Sequence, residues 1–317
     1  MTALKSKQKI LITGAAGLVG QNLVIQLKEN GYNDLICLDK HAPNLKILAS
    51  LHSDVSCHEV DLFDDKNKWE NLFENVDIVI MLHAQIGAPT YSPFLRNNIE
   101  ATKNVLSVLK QHDIKKLVHI SSSVVNSVAD DFYTQSKREQ ERLVVLSEIP
   151  HTILRPTLMF GWFDRKHLGW LSRFMEKTPF FPIPGNGKFM RQPLYERDFC
   201  NVICSSLSMP FEGKSYNISG GEEVDYIDII KKIKVEKNLK TVVFKLPFPI
   251  FYIILKIFEN ILKNPPFTTQ QLRALIAGDK FEVIPWWDIF SVKPTKFNKA
   301  IKETFSDDRY SKISLKF

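Results

Sequence analysis

The stretch TGAAGLVG, residues 13–20, constrains the fold of this chain more than any other part of it. It follows a short apolar run, KILI, and opens a segment of helical spacing, GLVGQNLVIQLKENG, that stops at Gly31. The three glycines have separate tasks in such a setting. Gly14 permits the tight turn, Gly17 lets backbone approach a pyrophosphate closely, and Gly20 lets the helix pack against the strand. A helix N-terminus placed there presents unpaired N–H groups and a partial positive charge to phosphates. The pattern carries weight only between a strand and a helix, and this chain supplies both. The turn and first helical residues, Gly14, Ala16, Gly17, Leu18 and Val19, are thus candidates for contact with a dinucleotide.

The segments that follow extend the same architecture. DLICLD, VSCHEVD, VDIVIML, KKLVHISS and HTILRP read as further strands, with helical segments between them, most clearly NNIEATKNVLSVLKQ and QSKREQERLVVLS. The strands are rich in Val, Ile and Leu without polar alternation, which is the habit of a parallel sheet covered on both faces. The expected fold is α/β: a Rossmann-like doubly wound parallel sheet over residues 1–160, with a smaller C-terminal substrate lobe over 161–317. A later strand near 215–218 is a candidate to rejoin the sheet. TPFFPIPGNGKFMRQP, dense in Pro and Gly, reads as a loop linking the lobes.

Asp39 ends the second strand, 39 − 20 = 19 residues after Gly20. A carboxylate there accepts hydrogen bonds from the adenosine ribose hydroxyls and repels a 2′-phosphate, which favours NAD over NADP. Lys40 and His41, next in the chain, soften that preference. Asp61, in HEVDLF, sits where a third strand ends and is placed to meet the adenine amino group, with Leu62 beside it.

A second constellation lies in VHISSSVVNSVADDFYTQSKREQE, residues 118–141. Tyr133 and Lys137 are four apart, on one face of a helix. Removing a proton from a carbinol needs a base, and a free tyrosine, with a pKa of about 10, is a poor one near neutrality. A lysine ammonium one turn away favours the phenolate. A serine hydroxyl at the end of the fifth strand would hold the substrate oxygen.

The ordered set TGAAGLVG, Asp39, VDLF, MLHAQ, NNIEAT, SSS, YTQSK, LRPTLMFG, RQPLYERD and YNISGGEEV resembles the extended short-chain dehydrogenase/reductases, and within them the NAD-dependent epimerase/dehydratase family. The resemblance covers roughly residues 8–235. The chain is also similar to the branch that holds the respiratory complex I accessory subunit and the 3β-hydroxysteroid dehydrogenases. What the resemblance implies is an enzyme with Tyr133 as acid/base, Lys137 as its tuner and as a holder of the nicotinamide ribose, and Ser123, with Ser122 second, as the oxygen clamp. It implies that His83, Ala84 and Gln85 line the cofactor after the fourth strand, that Arg155 and Pro156 lie beside the nicotinamide, and that Asn98 is architectural. Arg191 is the candidate for a substrate diphosphate, since a guanidinium offers paired donors; Arg197 reads more readily as a surface charge. A homodimer is implied by analogy alone.

The chain departs from the sugar epimerases in one place. Only 133 − 123 = 10 residues separate Ser123 from Tyr133, so the pocket wall there is short and the site open. Val124 and Val125 follow the serines where a 4,6-dehydratase needs an acidic pair, which argues against dehydration.

Charge narrows the remaining choices. A net charge of +7 suits anionic substrates or a membrane surface, but the basic residues are scattered and form no nucleic-acid-binding module. Cys37, Cys57, Cys200 and Cys204 form no CxxC pair and no metal-ligand spacing. MTALKSKQ leads directly into the first strand without an apolar stretch, so the expected location is cytoplasmic. LPFPIFYIILKIFENILK, residues 246–263, is the most apolar segment and is too short to cross a bilayer. Ile250, Ile253, Ile254, Ile257, Phe258 and Ile261 share one helical face, widened by Phe251, Tyr252 and Leu255. That face packs in the core, at a dimer interface, or peripherally on the inner membrane surface among Lys245, Lys256 and Lys263, with Trp286 and Trp287 able to join it. Three functions fit: an NAD-dependent epimerase or keto-sugar reductase for a nucleotide-activated or lipid-linked sugar, a dehydrogenase for a hydrophobic alcohol such as a sterol, and a non-catalytic cofactor-binding accessory protein.

Overall fold

The computed structural model describes residues 8–128, 130–210, 213–262, 267–277 and 282–316. Lys263 lies outside them.

Seven parallel strands form the central sheet. They are β1 (Ile10–Thr13), β2 (Leu35–Asp39), β3 (Ser56–Glu59), β4 (Ile78–Met81), β5 (Lys116–Ile120), β6 (His151–Pro156) and the strand Ser215–Ile218. Their order is 3-2-1-4-5-6 with Ser215–Ile218 outside β6, and every neighbour runs parallel. The chain reverses its direction of travel across the sheet between β1 and β4, where Thr13 stands level with Met81. The strand ends there splay apart into the crevice where doubly wound sheets take their ligands. All four residues of β1 and all four of β4 are buried, as apolar runs covered on both faces require.

Each face of the sheet has its own core. On one side, α1 (Leu18–Glu29) packs with the helix Glu196–Ser206 over Ile10, Ile12, Ile78 and Ile80. On the other, α4 (Ala101–Gln111) and α5 (Phe132–Leu146) lie over Leu11, Val79 and Leu117. α4 is preceded by two further elements, α2 (Ala42–Leu51) and the single turn α3 (Ser92–Phe94), which passes through a π-helical stretch, Leu95–Glu100, directly into α4.

A third cluster unites the helices Leu168–Lys177, Tyr226–Glu236 and Phe297–Ser306 around Met175, Ile183, Ile230 and Ile301. The Pro-rich segment expected to be a loop is partly strand. Phe180–Pro184 pairs in parallel with Val242–Leu246, and Met190–Arg191 pairs with Val224–Asp225. A two-stranded ribbon leaves one edge of each strand free, and a proline's missing N–H is harmless on that edge. Cys200 and Cys204 are buried in the core beside α1, as small apolar residues. Trp286 is also core: its indole N–H donates to the Ser219 carbonyl at 2.9 Å.

Helix Phe248–Ile261 does not bury the isoleucine face in its own core. Phe251 and Leu255 are the buried residues, while Ile250, Ile253, Ile257 and Ile261 face outward. Among the described residues no helix is long and apolar enough to cross a membrane.

Candidate active site

The three glycines meet three different surroundings. Gly14 has φ +70°, and a Cβ there would lie 2.7 Å from the His83 backbone at the end of β4. At Gly20 a Cβ would lie 2.3 Å from the Ala15 carbonyl oxygen. Gly17 differs: its nearest neighbour would be the Gly14 oxygen at 3.4 Å, an ordinary contact. The protein's own packing therefore demands glycine at 14 and 20 but not at 17, where the space is left on the outer side of the turn. No side chain caps α1, so its first N–H groups are available to an outside acceptor.

Asp39 stands at the rim of this cradle. Its Oδ2 accepts from the Ala16 N–H at 2.9 Å and its Oδ1 from the His41 N–H at 2.8 Å. Burial raises its carboxyl above the usual range, opposed by those two N–H donors. Asp61 is held by Arg96 at 2.9 Å, with Lys40 at 4.0 Å. Lys40 also donates to Asn97 Oδ1 at 2.6 Å. Leu62 is buried behind Asp61.

Asn98, fully buried in the π-helical stretch, is a clamp. Its Oδ1 accepts from the Gln85 N–H at 2.6 Å, and its Nδ2 donates to the Gln85 carbonyl at 3.1 Å and to Ser136 Oγ at 2.8 Å. The segment after β4 is thereby tied to α5. Ala84 is exposed beside it.

α5 begins with Asp131 accepting from the Thr134 N–H at 3.0 Å, a side-chain cap that fixes where Tyr133 enters the helix. Tyr133 is half-buried. Burial pushes its phenol up, a hydrogen bond with the Ser122 side chain pulls it down, and Asp131 adds to the rise. Ser122 also accepts from the Val124 N–H at 3.4 Å, and Ser123 opens the short turn Ser123–Asn126 that follows. Lys137, 1% exposed, donates to the Ile120 carbonyl at 3.0 Å and to Gln140 Oε1 at 2.7 Å. Burial pushes its amine down to about 7, opposed by the Glu141 charge. The structure thus sets Tyr133 against Ser122 and aims Lys137 at the end of β5, and the phenol lies above its ordinary value rather than below it.

A chain of polar groups, legible only in three dimensions, links these two ends of the site. Gln140 Nε2 donates to Thr102 Oγ1 at 2.9 Å; Thr102 Oγ1 meets His83 Nε2 at 3.1 Å; His83 Nδ1 meets Thr13 Oγ1 at 2.8 Å. Burial, with the Lys137 and Lys40 charges, pushes His83 down to about 3, so its imidazole is neutral. Arg155, at the end of β6, makes a two-pronged pair with Glu141 at 2.9 and 2.6 Å. Pro156 pairs with Ile218 at the end of β6. Gln140 and Glu141 lie three and four residues after Lys137, and that spacing was the available signal for both. Arg197 is structural, bound between Glu29 and Glu303. Arg191 lies on the wall of a cavity of about 600 Å³ lined mostly by the C-terminal part of the chain. Among the described residues no group of three or more His, Cys, Asp or Glu is placed to hold a metal ion.

The sequence model of the NAD dependent epimerase/dehydratase family matches residues 10–219. A dTDP-D-glucose 4,6-dehydratase of Dictyostelium discoideum is 27% identical over 267 residues, which cover 71% of this chain and 61% of that protein. From the same organism, the NADH dehydrogenase [ubiquinone] 1 alpha subcomplex subunit 9 is 25% identical over 276 residues, 82% of this chain and 73% of that one. A UDP-glucuronic acid 4-epimerase variant from Bacillus cereus, crystallised with NAD and a fluorinated substrate analogue, superposes with a TM-score of 0.69 at 22% identity, over 93% of this chain and 97% of its own. That last likeness is one of fold.

Proposed function

The chain belongs to the NAD-dependent epimerase/dehydratase family, of the extended short-chain dehydrogenase/reductase type, and from that premise we propose that it is an NAD-dependent epimerase or keto-sugar reductase acting on a sugar carried by a diphosphate. The observation that carries the reading is the joining of the glycine cradle to Lys137 through Thr13, His83, Thr102 and Gln140, with Tyr133, hydrogen-bonded to Ser122, one turn before Lys137 on the same helix. Lys137, buried and held by the Ile120 carbonyl and Gln140 Oε1, stands one helical turn from Tyr133.

The residues fit NAD. We assign the pyrophosphate to the turn Gly14, Ala16, Gly17, Leu18 and Val19, where Gly17 keeps room that the protein itself does not fill. Asp39 takes the ribose hydroxyls, Asp61 and Leu62 the adenine, and His83, Ala84, Gln85, Arg155 and Pro156 the nicotinamide end, with Lys137 on its ribose. When bound, NAD supplies the acceptor and donor of the hydride at the sugar carbon. Tyr133 Oη moves the hydroxyl proton, and the hydroxyls of Ser122 and Ser123 orient the oxygen that bears it. Lys137 supplies the charge that favours the phenolate. His83, held neutral, keeps that charge from being opposed by a second cation. Cofactor binding thus falls to residues 8–160 with the strand Ser215–Ile218, and substrate binding to the rest. Val124 and Val125 argue against the dehydration carried out by the Dictyostelium relative.

Two measurements test this. Mass spectrometry of the nucleotide released on denaturation is expected to find NAD, near-stoichiometric for an epimerase and absent but rebindable for a reductase. Tyr133→Phe is expected to abolish turnover, by a factor of about 10² or more, while NAD binding stays. Near-normal turnover in Tyr133→Phe removes Tyr133 from the mechanism. A chain that neither carries nor binds NAD leaves the accessory-protein reading in its place.

A further inference from the structure

The cavity that holds Arg191 is unlike a site made for a nucleoside. Its volume is about 600 Å³, within the roughly 300–1,000 Å³ that encloses a drug-sized ligand. Its walls come from the helices Leu168–Lys177, Phe248–Ile261 and Thr269–Ala277 and from the strand Phe180–Pro184, and they are overwhelmingly apolar. Trp170 stacks on Phe174, and Phe174 meets Phe181 edge-on, so one wall is a continuous aromatic surface. The cavity's polar lining is small: Arg191, Gln192 and Tyr226, with His167 and Gln271. A nucleobase buried against these apolar walls would leave donors and acceptors unpaired, which costs free energy. The arrangement instead suits an amphiphile with one anionic end.

The cavity also opens in a telling direction. Ile254 and Phe258 line it and are at the same time substantially exposed, so its mouth lies on the outer face of helix Phe248–Ile261. That face carries Ile250 (48% exposed), Ile253 (58%), Ile257 (49%) and Ile261 (73%) in one stripe. Phe180 and Phe244, packed edge to face on the neighbouring ribbon, extend it. Lys240, Lys245, Lys256 and Arg273 are exposed in the segments around it. An apolar face with cations near it is the pattern of a helix that lies in a bilayer interface rather than across it.

We propose that the cavity holds the first part of the isoprenoid chain of a membrane-borne sugar diphosphate, with Arg191 at the diphosphate and the face of helix Phe248–Ile261 seated on the leaflet that carries it. This rests on the reading of the site as one for diphosphate-carried sugars, and it names the carrier. A long chain runs from the cavity through the Ile254–Phe258 mouth into the lipid, so that the carrier stays in the membrane while its diphosphate end is held at Arg191.

The test uses the full chain and binding alone, so that it stands whatever Tyr133→Phe shows. Farnesyl diphosphate and UDP are titrated by calorimetry, and the protein is sedimented with phosphatidylcholine vesicles containing phosphatidylglycerol. Farnesyl diphosphate is expected to bind at least tenfold tighter than UDP. Arg191→Gln is expected to weaken it about tenfold or more, and Leu171→Trp, which fills the cavity, to block it. Ile253→Glu with Ile257→Glu, both on the exposed face and so without effect on folding, is expected to abolish vesicle binding and leave farnesyl diphosphate binding intact. Tighter binding of UDP, farnesyl diphosphate binding that ignores Leu171→Trp and Arg191→Gln, or the absence of vesicle binding by the unaltered chain would each overturn the proposal.

Discussion

Replacing Glu141 by Gln keeps the shape of the side chain and removes its charge, and the cost can be worked from the pair it forms with Arg155. The two hydrogen bonds are 2.9 and 2.6 Å long, and the side chains are 10% and 23% exposed. Exposed ion pairs contribute about 0.2–1 kcal/mol, whereas breaking a buried one by removing one partner costs about 3–5 kcal/mol. With both partners mostly but not wholly buried, Glu141→Gln is expected to lower the free energy of unfolding by about 2–3 kcal/mol. Much of that is the penalty on an Arg155 guanidinium left without its carboxylate. Arg155→Met in the same chain relieves it, so a double-mutant cycle in urea is expected to give a coupling of about 1.5 kcal/mol or more. A second effect travels with the first. Glu141 supports the ammonium form of Lys137, so its loss drives that amine still lower. A coupling below about 0.5 kcal/mol would refute the argument, because it would place the pair among surface contacts that solvent screens.

The glycines separate folding from binding. Gly20→Ala drives a methyl into the Ala15 backbone and is expected to destabilise the fold by about 1–3 kcal/mol in thermal or urea unfolding. Gly17→Ala meets nothing closer than 3.4 Å and is expected to leave unfolding nearly unchanged while weakening NAD by tenfold or more in a fluorescence titration; equal effects of the two on stability would refute the distinction. Lys137 sets a pH signature. Its folded amine titrates near 7, below the ordinary lysine range, so between that pH and about 10 the unfolded chain binds the additional proton and stability rises with pH. The difference in unfolding free energy between the natural chain and Lys137→Met is expected to grow in favour of the natural chain by at most about 1.4 kcal/mol per pH unit over that window; a difference that stays flat from pH 7 to 10 would show that Lys137 is not desolvated.

Much of the glycine turn and the strand end beside it was readable from residues alone, because its requirements are local. A turn that needs φ near +70° at Gly14 announces itself as a glycine, and a carboxylate that ends a strand announces itself by its distance from the turn. The partnership of Tyr133 and Lys137 was readable only as a shared helical face. That burial would raise the phenol and leave Lys137 bound to Gln140 and Ile120 depends on what covers the helix, which spacing does not encode. Arg155 was placed at the right strand end, yet its partner Glu141 comes from a neighbouring helix. The cavity around Arg191 was not legible at all. Its walls run from Leu158 to Leu275, and no short window of sequence contains it. Helix Phe248–Ile261 is apolar nearly all round, so periodicity could name its faces but not say which one the protein would cover. The proline-rich segment misled for a related reason: a ribbon with free edges tolerates prolines that a central strand would not.

The outermost strand of the sheet has a consequence for how the chain acquires its shape. Ile153 in β6 is paired with Ser215, 215 − 153 = 62 residues further on. On the ribosome the first six strands therefore emerge and assemble with the β6 edge open, and that edge stays available to any other extended chain until the later segment arrives. Such distant pairing also slows folding, since the intervening loop must be closed before its reward is collected. A gene cut after residue 160 would accordingly yield an adhesive half-finished sheet rather than a nucleotide-binding module, and a workable fragment would have to extend past Ile218.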